Sequence, residues 1–164
     1  MLPYDVRITP RWALGEVIKE GRPPTPPSYD ELVDDALIAS AEAPDQWFTS
    51  AEQLTAEWLR SRSLDVRSVR RRDGLHLKTP DMVAAAFGVP IETKRAVGTT
   101  NAIVQRIRSA RWQARHVVID LRGAKVSRTI TDAGLHTALR LYGHHLDEVV
   151  LIVSDDLGVG WSHG

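Results

Sequence analysis

Two unbroken apolar runs, His116-Val117-Val118-Ile119-Asp120-Leu121 and Glu148-Val149-Val150-Leu151-Ile152-Val153, constrain this chain more than any other feature. Short runs rich in valine, isoleucine and leucine, with no polar alternation, fit strands covered on both faces. Between them, Thr131 to Gly143 sets Leu135, Ala138, Leu139 and Tyr142 at helical spacing. Strand, helix and second buried strand make a parallel pair with a crossover, which places the chain in the α/β class.

The chain upstream of that pair adds elements of other kinds. Thr49 or Ser50 can cap a helix with Glu52 in its first turn and Ala51, Leu54 and Trp58 on one face. Leu64 to Arg70 is extended, and Asp73-Gly74 marks a hairpin ahead of the alternating Leu75-His76-Leu77-Lys78. Met82 to Ala86 reads equally as strand or helix, and Phe87-Gly88-Val89-Pro90 turns the chain into a short strand over Ile91 to Ala96. A helix from about Asn101 to Ala114 follows, with Ile103, Ile107, Ala110 and Ala114 as its apolar stripe. The expected order is helix, three meandering strands, helix, strand, helix, strand.

Ahead of Trp47 the pattern loosens. Residues 21–28, GRPPTPPS, hold four prolines and form an extended spacer. A helix capped by Ser28, with Leu32, Val33, Ala36 and Leu37 on one face, is expected next. Residues 1–46 therefore read as an acidic, proline-containing N-terminal segment and residues 47–164 as the main domain.

Charge and composition narrow the function. The absence of cysteine excludes disulfides, thiolate metal sites and cysteine nucleophiles. No run approaches the roughly 18 apolar residues of a membrane span. The first twenty residues lack the apolar heart of a signal peptide, so export instructions are expected outside this chain. The net charge of zero hides a segregation: residues 57–129 hold 16 basic and 6 acidic side chains, while both flanks are acidic. A middle segment at +10 has the signature of a polyanion-binding face.

Within that basic segment lie Thr79-Pro80-Asp81 and, after ten intervening residues, Glu92-Thr93-Lys94. On a strand, side chains two apart share a face, so Glu92 and Lys94 project together and Thr93 points away. Asp81 on the neighbouring strand can converge on the same spot. Two carboxylates are the minimum oxygen set for Mg²⁺ or Mn²⁺, with positions left for waters and a phosphate oxygen. A lysine beside them can position or deprotonate water and offset charge on phosphorus. Glu57 on the preceding helix is placed to add a ligand or to hold a water.

This ordered set resembles the PD-(D/E)xK nuclease superfamily. More narrowly, residues from about 47 to 154 are similar to the C-terminal toxin domains of contact-dependent growth inhibition proteins, the CdiA-type tRNA nucleases. The matching features are Glu57, Pro80-Asp81, Glu92-Thr93-Lys94, Thr99-Thr100-Asn101 opening a helix, and Trp112-Gln113-Ala114 leading into Val117-Val118-Ile119-Asp120-Leu121. The resemblance implies a restriction-endonuclease-like α/β core, with a mixed central sheet flanked by helices. It implies a divalent-metal-dependent endonuclease that cuts tRNA, with Mg²⁺ or Mn²⁺ as cofactor and Zn²⁺ as a further option. Delivery as part of a larger secreted effector, action in the target-cell cytoplasm and a cognate immunity protein are implied with it. Carried over by position, Asp81 and Glu92 bind the metal, Lys94 acts on the water and Glu57 is an auxiliary ligand. Thr100, Asn101 and Gln105 at a helix N-terminus fit phosphate contacts. Arg106 and Arg108, with Arg111, fit contacts to the nucleic-acid backbone.

Two other readings stay open at this point. The same site suits a DNase, and the basic segment suits a non-catalytic module that binds nucleic acid or a partner. A metal-independent ribonuclease using His76 is a weaker reading. His144 and His145 are adjacent and lack a metal-ligand spacing. Trp47, Trp58 and Trp112 are expected in the core or at an interface.

Overall fold

The computed structural model describes residues 43–70, 79–85 and 88–162. These form helices α1 (Ser50–Ser61), α2 (Thr100–Ala110) and α3 (Arg128–Tyr142). They also form strands β1 (Val66–Ser68), β2 (Met82–Ala84), β3 (Val89–Arg95), β4 (His116–Asp120), β5 (Glu148–Ile152) and β6 (Gly158–Ser162). The six strands lie in chain order across one mixed sheet. β1, β2 and β3 are antiparallel, β3 to β4 and β4 to β5 are parallel, and β6 returns antiparallel to β5. Among the described residues the order is helix, three antiparallel strands, helix, strand, helix, strand, with β6 added at the end, and the strand expected at Leu75 to Lys78 lies outside them.

The parallel pair follows from the two apolar runs. All five residues of β5 and four of the five in β4 are buried. Two successive crossovers between parallel strands taken in order put α2 and α3 side by side. Their contact is close enough that a Cβ on Gly134 of α3 would lie 2.9 Å from Ile103 Cδ1 and 3.0 Å from its Cβ. Gly134→Leu is therefore expected to destabilise the fold by about 1–3 kcal/mol through overpacking. Thermal denaturation against the parent checks this, and an unchanged midpoint would refute the tight fit.

Helix α1 crosses the sheet and ties its edges together. A capping box fixes its start: Glu52 N donates to the Thr49 hydroxyl at 3.2 Å and Thr49 N to Glu52 Oε2 at 2.9 Å. Arg60 donates to the Val66 carbonyl of β1 at 2.7 Å and pairs with Asp45 at 2.5 Å. At the other edge Trp58 Nε1 donates to the Ser154 carbonyl at 3.1 Å, and the Trp58 ring lies against Gly158 of β6. A side chain at Gly158 would meet that ring at 2.9 Å, so this glycine serves close approach. Trp58 is core, as expected.

Several expectations need correction. The buried face of α1 is Glu52, Thr55, Ala56, Trp58 and Leu59; Leu54, expected on that face, is exposed. The ambiguous segment from Met82 is a strand, and all three residues of β2 are buried between its neighbours. Helix α2 is capped by Thr99, whose hydroxyl accepts from Ala102 N at 3.1 Å, and it ends at Ala110, four residues short of the expected Ala114. Ser68 N donates to the Pro44 carbonyl at 2.7 Å, so chain ahead of Trp47 also packs on β1. The Asp73-Gly74 hairpin, His76 and the helix expected from Ser28 lie outside the described residues.

Candidate functional site

Strand β3 and the residue entering β2 bring the first group together. Antiparallel pairing of Met82 with Ile91 leaves Asp81 just beyond the ladder, beside Glu92 and Thr93. The Asp81 carboxylate takes over as acceptor there: Oδ2 receives Thr93 N at 3.0 Å and the Thr93 hydroxyl at 2.9 Å. Thr93, expected to point away from the cluster, is the residue that holds Asp81 in place. It carries no charge, so strand alternation gave no reason to single it out.

Glu92 is 0% exposed, although its neighbours in sequence include two cations. Its Oε1 accepts from Gln113 Nε2 at 2.6 Å and lies 2.7 Å from Lys94 Nζ. Its Oε2 is buried without a hydrogen-bond partner. Burial, and then the Asp81 charge, push the Glu92 carboxyl up to about 8, against the opposing pull of Lys94. The Asp81 carboxyl is also raised, first by burial and then by Glu52, with the Thr93 hydrogen bonds working the other way. The expected convergence of Asp81, Glu92 and Lys94 is therefore present in the fold.

Gln113 reaches Glu92 because α2 stops early. Residues 111–113 leave the helix in a turn before β4 begins, and that turn frees the amide to swing onto β3. Read as a helical residue from sequence, Gln113 had no evident route to the carboxylate.

Glu57 and Glu52 divide differently from expectation. Glu57 is exposed, and its nearest hydrogen-bond partner is Gln53 at 3.5 Å. Glu52 is buried, and its charge raises both Asp81 and Glu92. Five residues along an α-helix amount to about 140° of rotation, so the two glutamates cannot share a face. Glu52, not Glu57, is the α1 carboxylate that the fold brings to this cluster, and its capping role had concealed it in the sequence.

The remaining candidates lie on α2. Thr100 is half-buried at its first turn, while Asn101, Gln105, Arg106 and Arg108 are exposed. None of them is tied to the carboxylates by a hydrogen bond or ion pair that the structure shows. His116 is not an acid–base candidate: burial holds its imidazole down at about 4, hence neutral.

Chemically, a buried carboxyl raised by a neighbouring carboxylate, as Glu92 is by Asp81, is relieved by a proton or a cation. Among the described residues no group of three or more histidine, aspartate or glutamate side chains is arranged to hold a metal ion. Asp81 and Glu92 alone match the two-carboxylate minimum of Mg²⁺ or Mn²⁺, which take their other positions from water and phosphate. The unpartnered, buried Glu92 Oε2 fits a bound cation, because a cation would satisfy the atom that nothing else reaches.

Residues 78–156 match the family model described as the contact-dependent growth inhibition CdiA C-terminal domain. No curated protein and no solved structure matches the chain.

Proposed function

We propose, from the match of residues 78–156 to the CdiA C-terminal domain of contact-dependent growth inhibition, that this chain is a toxin domain that hydrolyses phosphodiester bonds, most readily those of tRNA, with a divalent metal. The observation that carries this reading is a wholly buried glutamate, Glu92, with an unpartnered oxygen, set beside Asp81 and bridged to Lys94. A glutamate whose carboxyl is pushed up by burial and by a neighbouring aspartate is costly to fold and marks a site where a positive charge is to be received. The PD-(D/E)xK resemblance and the segregated positive charge point the same way.

Asp81 and Glu92 would hold the metal, which supplies Lewis acidity and positive charge at the scissile phosphate when bound. Thr93 fixes the Asp81 carboxylate through both of its donors, which sets the direction of the other oxygen. Gln113 and Lys94 both engage Glu92 Oε1, and this leaves Oε2 for the cation. The Lys94 ammonium, partly exposed beside that carboxylate, can donate to a water or to a phosphate oxygen where negative charge develops. Glu52 adds a third negative field without which the pair would ionise more readily. Arg106 and Arg108 on the exposed face of α2 are suited to backbone phosphates, and Thr100, Asn101 and Gln105 to phosphate-side contacts. Delivery within a larger secreted effector, action in the target-cell cytoplasm and neutralisation by a cognate, acidic immunity protein complete the reading.

Incubation of the purified chain with total tRNA and with duplex DNA, in Mg²⁺, Mn²⁺ or EDTA, tests it on a gel. The expected result is discrete tRNA fragments that vanish with EDTA. DNA cutting alone would make the same site a DNase, and cutting that persists in EDTA would reject the metal. Silence on both substrates would favour a module that binds without turnover.

A further inference from the structure

The turn that delivers Gln113 to Glu92 also delivers Trp112 to the surface. Trp112 was expected in the core or at an interface, yet 46% of it is exposed. It does not stand alone. The Arg111 guanidinium carbon lies 4.2 Å from the Trp112 ring centroid and 4.6 Å from that of Tyr142. His145 meets Trp112 edge-on at 5.2 Å, and His144 packs on His145 at 4.0 Å. An exposed indole braced by a guanidinium and an imidazole is held rigid, with little side-chain freedom left to lose on binding.

The patch is also electropositive. The Arg111 guanidinium is pulled below its ordinary value by burial, against the opposing pull of Tyr142 and with a further push from Arg108, and the His145 imidazole by burial, then by His144, Arg111 and Arg115. Arg111 donates to the Arg108 carbonyl rather than to a carboxylate. A rigid aromatic face in a positive field suits a nucleobase on a polyanionic strand. Its position follows from the chain: Trp112 adjoins Gln113, whose amide donates to Glu92 at 2.6 Å. Adjacent Cα atoms are about 3.8 Å apart, so Trp112 lies within a few nucleotide lengths of Glu92.

We propose that Trp112, braced by Arg111, Tyr142 and His145, is a stacking subsite for an unpaired nucleobase of the RNA substrate. The proposal rests on the nuclease reading above and narrows its substrate class to single-stranded or looped RNA. A base inside a duplex has no free face to offer, whereas one in a loop can be splayed onto an aromatic ring.

The test uses the full chain in EDTA with two probes: a short RNA strand carrying 2-aminopurine, and the same strand annealed into a duplex. The parent chain is expected to quench the 2-aminopurine of the single strand and to bind the duplex more weakly. Trp112→Ala should weaken single-strand binding by about five- to hundredfold, and Trp112→Phe should retain most of it. Unchanged affinity in Trp112→Ala, while the parent still cuts tRNA in Mg²⁺, would overturn the stacking site and leave the nuclease reading standing. Absence of quenching by the parent chain would overturn it even if Trp112→Ala failed to fold. If the parent neither binds nor cuts RNA, the reading beneath the proposal fails with it.

Discussion

Glu92→Gln is expected to abolish cleavage, a loss on the order of 10²–10³-fold or more, while leaving the metal-free protein as stable as the parent or more so. The glutamine keeps Oε1 as acceptor for Gln113 and Lys94 and replaces the unpartnered Oε2 with a donor beside the Asp81 carboxylate. The change also removes a costly charge. The Glu92 carboxyl sits near 8 when folded and at its ordinary value of 4.5 when unfolded. Between these values the folded state holds a proton that the unfolded state has released. That stabilising proton is fully present below the lower value and is lost as pH rises through about 8. Metal-free parent protein should therefore melt at lower temperature as pH rises across that window, and Glu92→Gln should flatten the dependence. Added Mg²⁺ or Mn²⁺ should raise the midpoint of the parent at pH 8 and leave the variant unmoved, because a ligand stabilises only the fold that binds it. Full activity in Glu92→Gln would remove Glu92 from the site.

The elements were legible wherever a periodicity could be counted. β4 and β5 announce themselves as continuous apolar runs, and α3 as a stripe of leucine and alanine, because burial on both faces or on one stripe leaves no other pattern. Strand β6 offers no periodicity to count, because Gly158 and Gly160 interrupt its apolar positions. In the fold, the Gly158 position is needed bare so that Trp58 can lie across it. Helix α2 looked longer than it is because Ala114 keeps the stripe's spacing after the helix has ended, and it is buried all the same. That misreading concealed the two residues whose new positions matter most, Trp112 and Gln113. The site was legible in its charged members, Asp81, Glu92 and Lys94, since strand geometry fixes which of them meet. Its supporting members were not. Thr93 and Glu52 carry ordinary structural signatures, a β-branched strand residue and a helix cap, and only tertiary packing shows what else they touch or perturb.

Asp81→Asn tests whether the two carboxylates work as one unit. An asparagine oxygen can still accept the Thr93 amide and hydroxyl, so the strand entry should keep its geometry. The lost charge should then act on Glu92, because Asp81 is the second cause of its elevation after burial. In metal-free melts the pH dependence of Asp81→Asn should accordingly shift to lower pH than that of the parent. Cleavage should fall on the order of 10²–10³-fold, as for Glu92→Gln. The double variant Asp81→Asn/Glu92→Gln should be scarcely worse than either single one, because groups that hold one ion between them fail together. Losses that multiply in the double variant would mean that the two carboxylates act independently. Unchanged cleavage in Asp81→Asn would instead leave Glu92, with Lys94, to carry the chemistry and reduce Asp81 to closing the end of the β2–β3 ladder.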